Sequence, residues 1–293
     1  VRAAVAADPN FARWADQLVE QAQSEKISDL PALERDWWEV DRTKPWSETY
    51  PQVFHHTWIV PAQWADVARH CAWAGVLRPE TKLTDKARQV LLSLADFTFE
   101  FEHYDVGLNY TVWAVEAMEA YELLYESCTP PERQKLDAFF QRFLAAVQKN
   151  DDYWLKHEPG GGLNNHYAWH KLAFVAVGLF SRQPAVVDQA LDGPKGILFL
   201  MQHGFTDEGL WIEGSIPYQM AATTPLVRVA ELLENADYPR KLYQNESGDG
   251  HTLCGAYDAL LPLLFPDRTL PTIGDCYGDR PHLGRRADWE ILC

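Results

Sequence analysis

Three glycine-containing junctions in the chain carry side chains that could do chemistry. The first runs Gly161-Gly162-Leu163-Asn164-Asn165-His166-Tyr167-Ala168-Trp169-His170. A glycine loop here leads into a helical pattern whose first turn presents Asn165 and His166. An amide donates hydrogen bonds to a carboxylate, and an imidazole exchanges protons near neutrality. The plainer alternative is an asparagine helix cap beside a hydrogen-bonded histidine, since asparagine is a favoured N-cap. The second junction is Asp207-Glu208-Gly209-Leu210-Trp211-Ile212-Glu213-Gly214-Ser215-Ile216-Pro217-Tyr218. Tyr218 alone would read as a core tyrosine, and Glu213 as a solvated carboxylate. The third is Asp105-Val106-Gly107-Leu108-Asn109-Tyr110-Thr111-Val112-Trp113. It repeats the arrangement of a loop followed by Asn and aromatics. Recurrence at three helix starts carries more weight than any one residue.

The elements between these junctions read as helices almost throughout. Asp8-Pro9 supplies an N-cap and a first helical position, opening a helix to about Ser24. Residues 30–58, rich in Trp, Pro and charge, predict an irregular wrap. Pro61 to about Val76, Thr84 to about Phe101, and a stretch beginning at Gly107 follow with helical spacing. Thr129-Pro130-Pro131-Glu132 starts a helix to about Leu155. Asn165–Phe180, Pro184 to His203, Ser215–Glu234 and Thr252–Leu264 complete the set, and the chain from Pro266 reads as loop. Strand signals are nearly absent. Helices joined by short connections pack antiparallel to their neighbours, so the expectation is an all-α fold of helical hairpins. Periodicity does not by itself show whether the hairpins close into a ring.

Composition bounds the partners. The 293 residues carry a formal net charge of −16, which disfavours nucleic acid and anionic membrane surfaces. A polyanionic substrate would need a site locally rich in donors. The chain holds 12 Trp, 12 Tyr and 13 Phe; most of these suit core packing, and some suit stacking on sugars. Trp113, Trp169 and Trp211 are candidates for either role. The five cysteines, Cys71, Cys128, Cys254, Cys276 and Cys293, are widely spaced and predict free, buried thiols. His166 and His170 are an i, i+4 pair, but no third ligand stands at a telling position and the segment lacks the Glu of a zinc-protease helix. No metal and no cofactor are expected. His55-His56 are weaker candidates for lining a cleft, and Arg228 reads as a salt-bridging helix residue. No apolar run is long enough to span a bilayer. Val1 to Ala7 is too short for a signal peptide and is compatible with a trimmed leader.

The "NNH" segment, followed about fifty residues later by "DEGLWIEGSIPY", resembles the heparinase II/III and alginate lyase superfamily of polysaccharide lyases. "DVGLNYTVWAVEAMEAYELLY" is similar to that group's earlier Asn/Trp helix, and "LPTIGDCYGDR" to its closing segment. The resemblance covers roughly residues 55–280. It implies an (α/α) toroid, here a single catalytic domain over 1–293 with 266–293 as a closing segment; the antiparallel β domain that usually follows the toroid in this group is not within these residues. It also implies β-elimination on an acidic, uronate-containing polysaccharide, with alginate as first expectation, and a periplasmic or secreted location. Carried over by position, Asn165 would bind the substrate carboxylate, His166 would act as base or charge stabiliser, and Tyr218 would transfer the proton. A phenol with a reference pKa near 10 needs a donor-rich setting for that work. Asn109, Tyr110, Trp113, Asn164, Trp169, His170, Trp211 and Glu213 would contact substrate. Two readings compete: a glycoside hydrolase using Asp207 and Glu213 as paired carboxylates, and a non-catalytic module that binds acidic glycans.

Overall fold

The structure is a computed structural model that describes residues 2–33, 41, 43–79, 81–99, 106–157, 163–244 and 251–276. The glycine loop at 160–162, Asp105, Cys293 and the end of the "LPTIGDCYGDR" segment lie outside the described residues. Among the described residues there is no strand, only an isolated bridge between Phe205 and Trp211. The all-α class expected from the sequence is what the chain adopts. Its contacts divide into two compact units, residues 1–150 and 151–293.

In the first unit, α1 (Arg2–Ala7) and α2 (Pro9–Ser24) are separated by Asp8, whose carboxylate accepts the Asn10 N–H at 2.7 Å. That bond satisfies one of the four orphan N–H groups of the helix start. The irregular wrap expected over 30–58 is corrected at its end: α3 (Trp46–Phe54) continues through a π-turn, His55–Ile59, into α4 (Val60–Leu77). The prolines of this region are compatible with the helices. Pro45 is the cap of α3, Pro61 falls in the first turn of α4, and α3 accommodates Pro51 internally. Next come α5 (Thr81–Leu94), α6 (Val106–Leu124) and α7 (Pro130–His157). α4 packs on α2, α5 and α6. The expected extension of α5 to Phe101 is also corrected, because the chain turns at Ala95–Asp96 and sends Phe97 into the core.

The second unit contains the last turns of α7, then α8 (Asn165–Phe180), α9 (Pro184–Asp192), α10 (Ile197–His203), α11 (Ile216–Asn235) and α12 (Leu253–Asp258). α8 is buried almost on every side and packs against α9, α10 and α11. An all-round apolar helix of this kind belongs in a core. The single helix expected from Pro184 to His203 is broken in two at residues 193–196, where Lys195 takes a left-handed φ of 49°. Among the described residues no helix is long and apolar enough to cross a membrane. Cys71, Cys128 and Cys276 are free and buried as expected, whereas Cys254 is free and exposed. Burial pushes the Cys71 thiol up to about 11.

Candidate active site

The second unit brings two of the three junctions together. Asn164 caps α8, its side chain accepting the His166 N–H at 3.0 Å, so Asn165 and His166 fall in the first turn. Ser215 caps α11 in the same way, its hydroxyl accepting the Tyr218 N–H at 3.3 Å, which sets Tyr218 as the third residue of that helix. Glu213, two residues before the Ser215 cap, joins the two starts. Its carboxylate accepts the Asn165 main-chain N–H at 2.7 Å and the Asn165 side-chain amide at 3.1 and 3.3 Å. It also accepts the Trp211 indole N–H at 2.6 Å. The first turns of α8 and α11 are therefore fixed at one end of a packed helix pair.

The loop that delivers Glu213 is tightly built. Thr206 and Leu210 pair through a 2.8 Å main-chain bond, the Ile212 N–H reaches the Gly204 carbonyl at 3.0 Å, and Trp211 is buried against Phe205. Gln219, one residue past Tyr218 and 1% exposed, clamps the loop from behind. Its amide N–H groups donate to the Gly209 carbonyl at 3.1 Å and the Ala256 carbonyl at 2.8 Å, while its oxygen accepts the Trp211 main-chain N–H. The segment after residue 270 rests on the same cap. Gly274 has φ of 69°, and a Cβ there would meet the Gly214 carbonyl oxygen at 2.5 Å and the Ser215 Cβ at 2.8 Å.

The environment of His166 selects among its expected roles. Its ring lies against Trp154 of α7, with centroids 4.6 Å apart, and near His170, with centroids 6.3 Å apart. Desolvation, helped by His170, holds its pKa down at about 3. The imidazole is neutral at working pH and too weakly basic for general-base duty. His170 is fully buried, with Nδ1 facing Asp151 Oδ1 at 3.2 Å, and Asp151 takes the Lys171 ammonium at 2.6 Å on its other oxygen.

Several expected substrate contacts need correction. Tyr110 and Trp113 are 0% and 1% exposed, packed with Phe97 and Phe99 in the core of the first unit. The Trp113 indole N–H donates to the Thr57 carbonyl at 2.8 Å, and buried Asn109 donates to the Thr57 hydroxyl at 2.8 Å. Asn109 and Trp113 thus hold α6 to the π-turn. Trp169 and Trp211 are likewise buried, so neither offers an open ring face to a sugar. His170 is sealed from solvent, and Asn164 is engaged as a cap. Glu213 orients Asn165 instead of standing free for substrate. His55 and His56 lie edge to face within the π-turn of the first unit. Asp207 is exposed and lines a cavity of about 120 Å³ with Glu208, His251 and Thr252. Among the described residues no cluster of His, Cys, Asp and Glu is arranged to hold a metal ion. Asp151, Trp154, Lys171 and Gln219 escaped sequence reasoning. Asp151 sits beside the exposed Asp152, and nothing in the local pattern tells them apart.

The family model for alginate lyase matches residues 80–268. The chain belongs to the alginate lyase family. A relative named alginate lyase from Stenotrophomonas maltophilia (strain K279a) is 26% identical over 173 residues, covering 54% of this chain and 22% of the relative. A second protein of that organism, named polysaccharide lyase, is 32% identical over 132 residues, covering 41% of this chain and 36% of the relative. The chain thus matches about a fifth to a third of the length of these curated relatives. Among solved structures, an alginate lyase from Bacteroides ovatus superposes with a TM-score of 0.62 at 13% identity, over 89% of this chain and 80% of that one. Alginate lyase A1-III from Sphingomonas species A1 gives 0.56 at 12% identity, over 84% and 75%. At that identity the likeness shows the fold, and it agrees with the helical (α/α) toroid class implied by the alginate lyase resemblance.

Proposed function

We propose that this chain is the catalytic part of a polysaccharide lyase that cleaves a uronate-containing polysaccharide, alginate first, by β-elimination. The Glu213–Asn165 lock carries the reading, because it draws Asn165, His166 and the helix turn bearing Tyr218 to one end of α8 and α11. The C5 proton of a uronate is a very weak acid, and its loss builds enolate charge on the carboxylate. Asn165 is 3% exposed and points its amide nitrogen at Glu213; in this reading the other N–H of that nitrogen meets the substrate carboxylate. Neutral His166 adds a further group able to donate where charge grows. Preorganised donors of this kind act most strongly on charge that appears in the transition state.

Tyr218 as phenolate takes the C5 proton. The C5–H electrons form the C4–C5 double bond, the C4–O4 bond breaks, and the Tyr218 hydroxyl returns the proton to O4. The acid and base are then the same group, which requires proton and leaving group on one face of the sugar. A net charge of −16 would repel such a substrate at long range, so donors rather than bulk charge hold it. A polymeric substrate suits a periplasmic or secreted enzyme.

The test is a panel of polymannuronate, polyguluronate, heparan sulfate and glucuronate polymers, followed by ultraviolet absorbance of the unsaturated product. Tyr218→Phe and Asn165→Ala should each lower the rate by about 10²-fold or more with the fold intact. Near-wild-type rates in either variant defeat the assignment. New reducing ends without absorbance would mean hydrolysis, and binding without turnover would mean a glycan-binding module.

A further inference from the structure

Behind His166 the second unit buries a complete set of charges that the proposed elimination does not itself use. Asp151, His170 and Lys171 are 3%, 0% and 2% exposed. Their partners form a two-rung ladder between antiparallel helix segments. On the last turns of α7, Asp151 faces His170 of α8, and Trp154, one turn later, faces His166, one turn earlier. The sealed rung and the rung bearing the proposed catalytic histidine are adjacent, with the two imidazoles edge to face at 71°.

A buried ion pair is a poor way to stabilise a core, since desolvation offsets most of its attraction and well-packed apolar residues commonly serve as well. The position of this one suggests a different purpose. We propose that Asp151 and Lys171 are positioning residues for His166, acting through His170: Asp151 fixes the His170 ring, and Lys171 balances the Asp151 charge beside it. The inference rests on the reading of His166 as a catalytic group.

The chemistry follows from the inventory of donors. Asp151 Oδ1 accepts from His170 Nδ1, so the proton sits on Nδ1 and Nε2 is left as a bare lone pair. His170 Nε2 is buried and has no hydrogen-bond partner among the described residues. A buried neutral lone pair is tolerable, whereas a buried N–H of an imidazolium is not. Were His170 to gain a proton, its new Nε2–H would compete for the neighbouring His166 ring and pull it out of register. A lone Asp151 carboxylate would favour that protonation. Lys171, bonded to the other carboxylate oxygen and lying 5.1 Å from the Phe174 ring centroid, opposes it. Among the described residues the charged or titratable groups acting on His170 are Asp151 on α7, and Lys171 and His166 on its own helix. The balance of desolvation and Lys171 against Asp151 leaves its pKa below the ordinary value.

The experiment is ¹⁵N NMR of the histidine rings across pH in the intact chain, with His166 and His170 assigned by the loss of signals in H166Q and H170Q. In the wild type, His170 should be neutral and protonated on Nδ1 at pH 7; an Nε2-protonated ring or an imidazolium there overturns the proposal whatever the variants do. Lys171→Met should raise the His170 titration by about one pH unit or more. It should also add a step to kcat at that same pH, with kcat about tenfold lower on the acid side and KM unchanged. Asp151→Asn combined with Lys171→Met removes both charges and keeps an acceptor for Nδ1, so it should abolish the new step. A folded Lys171→Met protein with the wild-type His170 titration, or with a shifted titration and no step in kcat, sinks the inference. If the lyase reading itself fails, the wild type shows no turnover on any polymer, while ring tautomer and titration still report on the charge balance.

Discussion

Glu213 holds Asn165 by both its main-chain and its side-chain N–H groups, across 48 residues of sequence. The bond fixes which way the amide faces. A flipped amide would set its oxygen against the Glu213 carboxylate, so the nitrogen must face Glu213 and its second N–H is presented in a defined direction. Glu213→Gln should cost about 1–3 kcal/mol of stability, as a charge-assisted acceptor is replaced by a neutral one. It should also lower kcat at least tenfold while leaving helix content unchanged. Denaturation and turnover measured together check this. An unchanged kcat in a folded Glu213→Gln protein would show that the orientation of Asn165 is immaterial.

Gln219 is expected to matter to stability more than its surroundings in the sequence suggest. Gln219→Leu keeps the volume but strands the Trp211 N–H and the Gly209 and Ala256 carbonyls. Leaving buried backbone groups unpaired costs about 1–3 kcal/mol each at the upper range, tempered by any water that enters. The loop over 204–215 should lose amide protection in hydrogen exchange before α8 does. Equal protection in the two regions would show that the clamp is redundant.

Gly274 should resist replacement although it lies far from Asn165 in the sequence. Gly274→Ala places a Cβ at 2.5 Å from the Gly214 carbonyl oxygen on a residue with φ of 69°. Strain of about 1–3 kcal/mol is expected, relieved by lifting the 270–276 segment off the α11 cap. The Ser215–Tyr218 bond is part of that cap, so Tyr218-dependent turnover should fall along with the melting temperature. A variant with wild-type stability and rate would show that the segment rests on the cap without supporting it.

Helix existence and capping were legible because their causes are local. Asp8-Pro9, Asn164 and Ser215 announce helix starts through short-range bonds that a sequence displays directly. The site was legible only in its first turns. Trp113 could be read as a sugar platform or a core residue, and Tyr110 as a substrate contact, because an aromatic residue reads the same whether its ring faces solvent or Phe97 and Phe99. The Asp151–Lys171 bond and the Gln219 clamp depend on which groups meet after packing, 20 and up to 37 residues apart. No local periodicity encodes such meetings. The same holds for the π-turn at His55–Ile59, whose Thr57 carbonyl is committed to Trp113 on another helix.

Acid should destabilise the chain through His166 in a window that can be isolated. Its folded pKa, about 3, lies below its ordinary value of 6.5 because burial disfavours the imidazolium. Between those values the unfolded chain binds a proton that the folded chain does not, so stability falls as pH falls from 6.5 toward 3 and is fully present above 6.5. The slope is at most about 1.4 kcal/mol per pH unit for each such histidine. His170 is shifted in the same direction and adds to it. Asp151, held below its ordinary 3.8 chiefly by His170 and Lys171 against the penalty of burial, begins to contribute only as pH approaches that value. Chemical denaturation at pH 6.5 and pH 5 therefore reads the histidines apart from the carboxylate. His166→Gln should flatten part of the dependence, since glutamine has no proton to gain. A wild-type stability that does not change between pH 6.5 and 5 would mean that the ring is hydrated, and the neutral-donor role assigned to His166 would fall with it.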